Sequence, residues 1–222
     1  MIGLYGKIPA HGDFVSREID NHFVSLWDAW LQQVISESRS ILGERWLDIY
    51  LVSPMWRFFL SKGIIDEQCW SGVILPSVDS VGRYFPLTAA FPIGIDTNSS
   101  QFLAENDKNY SELEAKCRES LESGSNIDCL SSNLSSIRFG RNTEEALQSI
   151  TQSGQILLND GVDKRAILSI DAPFYTLMEK LLSAHCSNYA LWSSSGVENK
   201  SMIVSSGLPH GSEFIEMLTG TN

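Results

Sequence analysis

Phe23, Leu26, Trp27, Trp30, Leu31, Val34 and Ile35 constrain the fold most, because they fall at i, i+3, i+4, i+7, i+8, i+11 and i+12. That spacing predicts an amphipathic helix with one wide apolar face. Asp20 or Asn21 stands where a side chain can accept from its free N–H groups. A face this wide has to be covered by other elements. Five of the six tryptophans, Trp27, Trp30, Trp46, Trp56 and Trp70, lie in the first 70 residues. Trp27 and Trp30 read as core rather than a cofactor box, and their indole N–H groups need partners once buried. The adjacent Asp28 can serve only another element.

Short strand-like segments surround this helix. Ile2 to Ile8 mixes β-branched and aromatic residues and stops at Pro9. Trp56 to Leu60, Gly72 to Val78 and Arg83 to Phe91 follow, with a short helix over Glu44 to Leu51 before them. Pro86 inside the third of these predicts an edge strand or a bulge. Alternation puts Trp56 and Phe58 on one sheet face, and Arg57 and Phe59 on the other.

From Thr97 the character changes. Ser99 or Ser100 can cap a helix carrying Leu103, Tyr110, Leu113, Cys117 and Leu121, and the Ser/Asn-rich stretch 122–136 reads as a loop with a broken helix. Asn142 and Glu145 resemble a capping box, with Ala146, Leu147 and Ile150 behind it. Gly154 and Asn159-Asp160-Gly161 mark turns. Ala166 to Ile170 reads as a strand, and Asp171 caps a helix with Phe174, Leu177, Met178, Leu181 and Leu182 on one face. Strands at Tyr189 to Ser193 and Met202 to Ser206 flank a turn at Gly196, and Ser212 caps a last helix. The expectation is one α+β domain over residues 1–222, with helices packed on a mainly antiparallel sheet. Its parts are a motif-dense region 1–95, a helical middle 97–165 and closing strands and helix 166–220.

Charge narrows the function. The 16 Lys+Arg against 27 Asp+Glu give a net charge of −11, which argues against a general binder of nucleic acid or anionic lipid. No run reaches the roughly 18 apolar residues that a membrane crossing needs. The N-terminal Met-Ile-Gly-Leu-Tyr-Gly-Lys-Ile-Pro has no basic segment leading into an apolar one, so no signal peptide is expected. Cys69, Cys117, Cys129 and Cys186 stand apart and suggest neither zinc nor a redox pair. A reduced, cytoplasmic compartment is the expectation.

Two clusters carry the chemistry. In the first, Lys7, His11, Asp13 and Arg17 crowd one short loop around Gly12 and Phe14. His11 and Asp13 can form a general base pair and Arg17 can hold an anion. The favoured reading, since no nucleophile or metal motif accompanies the cluster, is a turn in which Asp13 accepts N–H bonds and Arg17 pairs with a carboxylate. His22, His185 and His210 sit at helix ends. The glycines near Lys7 lack the phosphate-loop frame, and Gly72 to Ser77 lacks that of a nucleophile elbow. The second cluster, Pro76-Ser77-Val78-Asp79-Ser80-Val81-Gly82-Arg83-Tyr84-Phe85-Pro86, is either a shaped binding surface or a hairpin turn capped by its own Asp; these do not exclude each other. No metal site, cofactor or complete catalytic constellation is expected.

Several segments, in this order, resemble the TagF family of type VI secretion system-associated proteins. They are Gly6-Lys7-Ile8-Pro9-Ala10-His11-Gly12-Asp13-Phe14-Val15 with Arg17; Trp27-Asp28-Ala29-Trp30-Leu31; Pro54-Met55-Trp56-Arg57-Phe58; Trp70-Ser71-Gly72-Val73; and Pro76 through Thr88. Leu191-Trp192, Gly207-Leu208-Pro209 and Phe214 through Gly220 resemble the closing pattern, with Ser193-Ser194-Ser195 departing from it. The resemblance implies an α/β/α sandwich similar to longin or profilin-like domains. It also implies a non-enzymatic cytoplasmic regulator that represses assembly or firing of the apparatus after translation, through the forkhead-associated scaffold protein of the same system. Lys7, His11, Asp13, Arg17, Arg57, Asp79 and Arg83 are then the candidate contact or motif-surface residues. Gly12, Phe14, Trp27, Trp30, Trp56, Phe58, Gly72, Pro76, Gly82, Phe85 and Pro86 are the structural motif. Asp13 with Arg83, or Asp79 with Arg17, can instead tie loops together internally. A hydrolase or phosphatase-like enzyme using His11 and Asp13, and a structural subunit of the apparatus, are the competing readings.

Overall fold

The computed structural model describes residues 1–95, 97–140, 149–150, 156–157, 171–195 and 201–220. The wide apolar face predicted around Trp27 forms α1, Asn21–Leu42, and Asp20 caps it by accepting from the N–H groups of His22 and Phe23. A turn of 3-10 helix, Gly43–Arg45, leads into α2, Trp46–Leu51.

Seven strands form one sheet: β1 Gly3–Gly6, β2 Val15–Arg17, β3 Met55–Leu60, β4 Cys69–Leu75, β5 Leu87–Ile93, β8 Ala190–Ser195 and β9 Met202–Ser205. Their order is β2-β1-β5-β4-β3-β8-β9, and every neighbouring pair is antiparallel. A separate ribbon pairs β6, Ser149–Ile150, with β7, Ile156–Leu157, so Ile150 is in a strand rather than on a helix. The remaining helices are α3 Ser99–Glu105, α4 Asp107–Ser123, α5 Ile127–Leu134, α6 Asp171–His185 and α7 Gly211–Thr219.

Helices cover both faces, because the central strands β3 and β4 are buried along their whole length and carry apolar side chains on two sides. On one face, Trp27, Trp30 and Leu31 of α1 and Phe214, Met217 and Leu218 of α7 meet Trp56, Phe58, Trp70, Ile74 and Trp192. On the other, Phe59, Val73, Leu75, Ala89 and Phe91 meet Phe102 and Leu103 of α3, Tyr110, Leu113 and Cys117 of α4, and Leu130 and Leu134 of α5. The predicted alternation of β3 is found, with Arg57 on the α4 side. The two α1 indoles find partners on distant segments: Trp27 donates to Thr88 Oγ1 at 2.8 Å and Trp30 to the Pro209 carbonyl at 2.8 Å. Asp28 serves another element, accepting from the Tyr5 hydroxyl. Glycine is required at Gly72, where a Cβ would lie 2.1 Å from the Ala89 carbonyl oxygen and 2.9 Å from the Phe58 ring.

Several expectations change. β5 is an interior strand, since Pro86 precedes its first residue and β5 lies between β1 and β4; Pro92, inside it, comes after the last residue that β1 pairs with, Ala90. The single helix expected after Thr97 is two, capped by Asn98 rather than a serine and broken at Asn106, whose side chain donates to the Phe102 and Gly140 carbonyls. The Ser/Asn-rich stretch contains α5, capped by Asn126 accepting from Cys129 N–H. On α6, Leu177 and Leu181 are exposed, so the expected apolar face is only partly used. The last helix is capped at His210, not Ser212, with the Glu213 carboxylate accepting from the His210 N–H at 2.8 Å. The Asn142–Glu145 box, the turns at Gly154, 159–161 and Gly196, and the strand at Ala166–Ile170 lie outside the described residues.

Candidate functional site

The two sequence clusters meet in space. Ser77 through Pro86 forms a tight loop: Phe85 N–H donates to the Ser77 carbonyl, Asp79 N–H to the Arg83 carbonyl, and Gly82 N–H to the Asp79 carbonyl, each at 3.1 Å. Gly82 takes a positive φ of 85° that suits this turn. The Asp79 side chain is turned inward and receives the loop's own N–H groups, from Val81 at 3.1 Å and Arg83 at 2.8 Å. It is thus the capping Asp of the hairpin reading.

Asp79 also holds the first cluster. Its Oδ2 accepts from Lys7 Nζ at 2.7 Å and from Arg83 Nε at 2.7 Å. Arg83 then reaches across to the Gly12 carbonyl and to Asp13 Oδ1 at 3.4 Å. Ser80 N–H donates to the His11 carbonyl at 2.9 Å, and Ser77 Oγ donates to the Lys7 carbonyl at 2.6 Å. Tyr50 closes the base, donating to the Ser77 carbonyl at 3.0 Å and accepting from its N–H at 2.9 Å. Burial by itself would raise the Asp79 carboxyl, but donation from Lys7, Arg83 and Val81 outweighs it and holds the group well below the usual carboxylate range.

Lys7 and Asp79 are buried, as is Arg57, so these three are withdrawn from the set of exposed contact residues. The physical reason is mutual neutralisation, which lets charge leave water. Arg57 sits apart from the loops: its Nε and Nη2 donate to the Glu114 carboxylate at 2.6 and 3.0 Å, and Nη1 donates to Asp107 at 2.6 Å. It lies over the Tyr110 ring, 5.4 Å from its centroid, and fastens α4 to the sheet. Of the internal ties considered, Asp13 with Arg83 is present, while Arg17 pairs with Asp128 of α5 instead of Asp79.

What reaches solvent is a ridge made by the two loop tips. Asp13 has a side chain 95% exposed, Arg83 one 54% exposed, and Val81 is 67% exposed. Phe14 is 45% exposed, although it belongs to the structural motif. One side of its ring stacks on Tyr5 at 5.8 Å and meets Phe85 edge-on at 4.8 Å, and Lys7 Nζ lies 5.0 Å from its centroid. The ring is thereby fixed in place while part of it remains uncovered. Trp27, Trp30, Trp56, Phe58, Phe85 and Pro86 are buried as the motif requires.

His11 and Asp13 do not converge. His11 Nε2 accepts from the Ile127 N–H at 3.5 Å, whereas Asp13 faces Arg83. Among the described residues no three His, Cys, Asp or Glu side chains group to hold a metal ion, and no helix is long and apolar enough to cross a membrane. Sequence reasoning missed Tyr50, named Ser77 only as a member of the second cluster, and missed Asp107 and Glu114 as the partners of Arg57. For the latter a signal existed: Asp107, Tyr110, Ser111 and Glu114 stand at i, i+3, i+4 and i+7, one helical face.

The model of the TagF N-terminal domain, type VI secretion system-associated, matches residues 3–137, more than half of the chain. The chain belongs to the TagF family. Both loop clusters, the Arg57 clamp and α1 lie within the matched residues. A solved structure, PA0076 from Pseudomonas aeruginosa PAO1, is 28% identical and superposes with a TM-score of 0.78 over 100% of this chain and 96% of that one. No curated protein matches the chain. This TagF-family chain is therefore a type VI secretion-associated protein with an α+β fold.

Proposed function

We propose that this TagF-family chain is a cytoplasmic, non-enzymatic repressor of type VI secretion, acting after translation by binding the forkhead-associated scaffold protein of the same system. The observation that carries the binding mode is the loop-tip ridge, in which charged groups are consumed in holding two loops together. Asp79 is saturated by four donors, and what it supports is a fixed, exposed set of Asp13, Phe14, Val81 and Arg83. Such a mixture of one uncovered aromatic with both charge signs suits selective protein contact. The enzymatic reading is disfavoured because His11 and Asp13 have separate partners.

The test is to remove and to overproduce the protein in its host while measuring export of the secreted tube protein. Export rises on removal and falls on excess if the reading holds. Unchanged export in both arms contradicts it. Recovery of the chain in stoichiometric amounts with purified apparatus would instead favour a structural subunit.

A further inference from the structure

The two edges of the sheet are treated differently. β2 is three residues long, ends in Arg17 beside Glu18, and is tied to α5 through the Arg17–Asp128 ion pair. Short length and charge are devices that keep an edge from pairing. β9, Met-Ile-Val-Ser, has neither charge nor proline.

Register fixes which main-chain groups of β9 face away from β8, the one strand it pairs with among the described residues. It pairs with β8 as Ala190↔Ser205, Leu191↔Val204, Trp192↔Ile203 and Ser193↔Met202. In the same register Ser194 N–H donates to the Ser201 carbonyl. Hydrogen-bonded pairs alternate in an antiparallel ladder, so Ile203 and Ser205 bond to β8. Met202 and Val204 therefore point their N–H and C=O groups away from the sheet. Their side chains are also outward, 61% and 41% exposed, on the face that carries Leu191, while Ile203 packs against the tryptophan core.

We propose that β9 is where an extended, apolar segment of the regulated partner adds as a further antiparallel strand, an inference that rests on the binding reading above. Main-chain donors and acceptors at alternate residues require an extended occupant. Two exposed apolar side chains on one face require apolar residues opposite them. A second copy fits less well. Each copy brings a net charge of −11, so two copies meeting along a four-residue edge would repel one another. A partner strand joins this edge as one element of a larger contact.

The test uses the full chain and its Val204→Pro variant. Proline removes only an outward N–H, a change that edge strands tolerate. Met202→Lys serves as a second variant that keeps every main-chain group. The purified forkhead-associated scaffold is the binding probe. The expected result is binding at least tenfold weaker for Val204→Pro, with unchanged melting, and weaker binding for Met202→Lys. Equal binding by wild type and both variants overturns this inference alone, whereas absence of wild-type binding overturns the functional reading and this assignment with it. In the free chain the Met202 and Val204 amides should exchange rapidly with solvent. Slow exchange would show the edge already covered by the same chain and overturn the proposal. A dimer by sedimentation that Val204→Pro dissolves would assign the edge to a second copy and overturn it as well.

Discussion

Two buried charge clusters sit at opposite kinds of junction. In the loop cluster one carboxylate, Asp79, is shared by two cations, Lys7 and Arg83. In the clamp one cation, Arg57, is shared by two carboxylates, Glu114 and Asp107. The clamp joins a helix to a central strand and keeps its guanidinium inside. The loop cluster joins two irregular segments and sends one arm, Arg83, out to the ridge. Irregular backbone has no ladder to fix it, so internal charge supplies the order that a binding surface needs. The clamp supplies stability without display.

The largest effect is expected at the clamp. Glu114→Ala leaves Arg57 buried with one carboxylate, the half-exposed Asp107, beside the Ser111 hydroxyl, and breaking such a pair costs about 3–5 kcal/mol. Urea denaturation measures it. A double variant, Arg57→Leu with Glu114→Leu, should recover most of that loss, because paired removal of buried charge is nearly neutral. No recovery would show that Arg57 is held by more than charge.

Asp79→Asn should cost less at pH 7, since the isosteric amide keeps an oxygen that can accept from Lys7 and Arg83 can turn to solvent. Its distinguishing mark is pH. The Asp79 carboxyl titrates below its unfolded value, so the unfolded chain binds the proton more readily and the carboxylate stabilises the fold above the ordinary range near pH 4. That stabilisation disappears as pH falls toward the folded value. Denaturation midpoints of wild type and Asp79→Asn should differ at pH 7 and approach each other toward pH 3. A constant gap would remove the carboxylate's charge from the account.

A smaller contrast concerns thiols. Cys117 is fully enclosed beside Glu114, and burial first, then that negative charge, pushes its thiol up to about 12. Cys129 is exposed on α5. At pH 8 an aromatic disulfide reagent should titrate Cys129 rapidly and Cys117 only on unfolding. Early reaction of Cys117 would mean that α4 opens locally and that the clamp is weaker than its geometry implies.

How much of this was legible in sequence follows from the range of each interaction. The α1 face, the β3 alternation and the Asp79 turn are written in neighbouring residues and were readable. That Asp79 meets Lys7 was not, because the two lie 72 residues apart and neither local pattern names the other. Arg57 reads as a surface candidate in sequence for the same reason, its carboxylates being 50 and 57 residues downstream. The interior position of β5 is hidden because Pro86 abuts its apolar run, and nothing local marks Leu87 as the first residue of the strand.

The smallest expected effect on stability is also the one that separates display from structure. Among the described residues Asp13 makes one ion pair, with Arg83 at 3.4 Å, and its side chain is almost wholly in water; Val81 is likewise exposed on the neighbouring tip. Asp13→Lys and Val81→Asp should each shift stability by no more than about 0.5 kcal/mol, since exposed ion pairs contribute little. If the ridge is the contact surface, each should still weaken scaffold binding in calorimetric titration and reduce repression of export. Loss of fold in either variant would move these residues from the contact surface into the internal frame of the loop cluster. Unchanged binding with unchanged melting would leave the loop cluster as scaffolding and direct the search for the contact to the β9 edge.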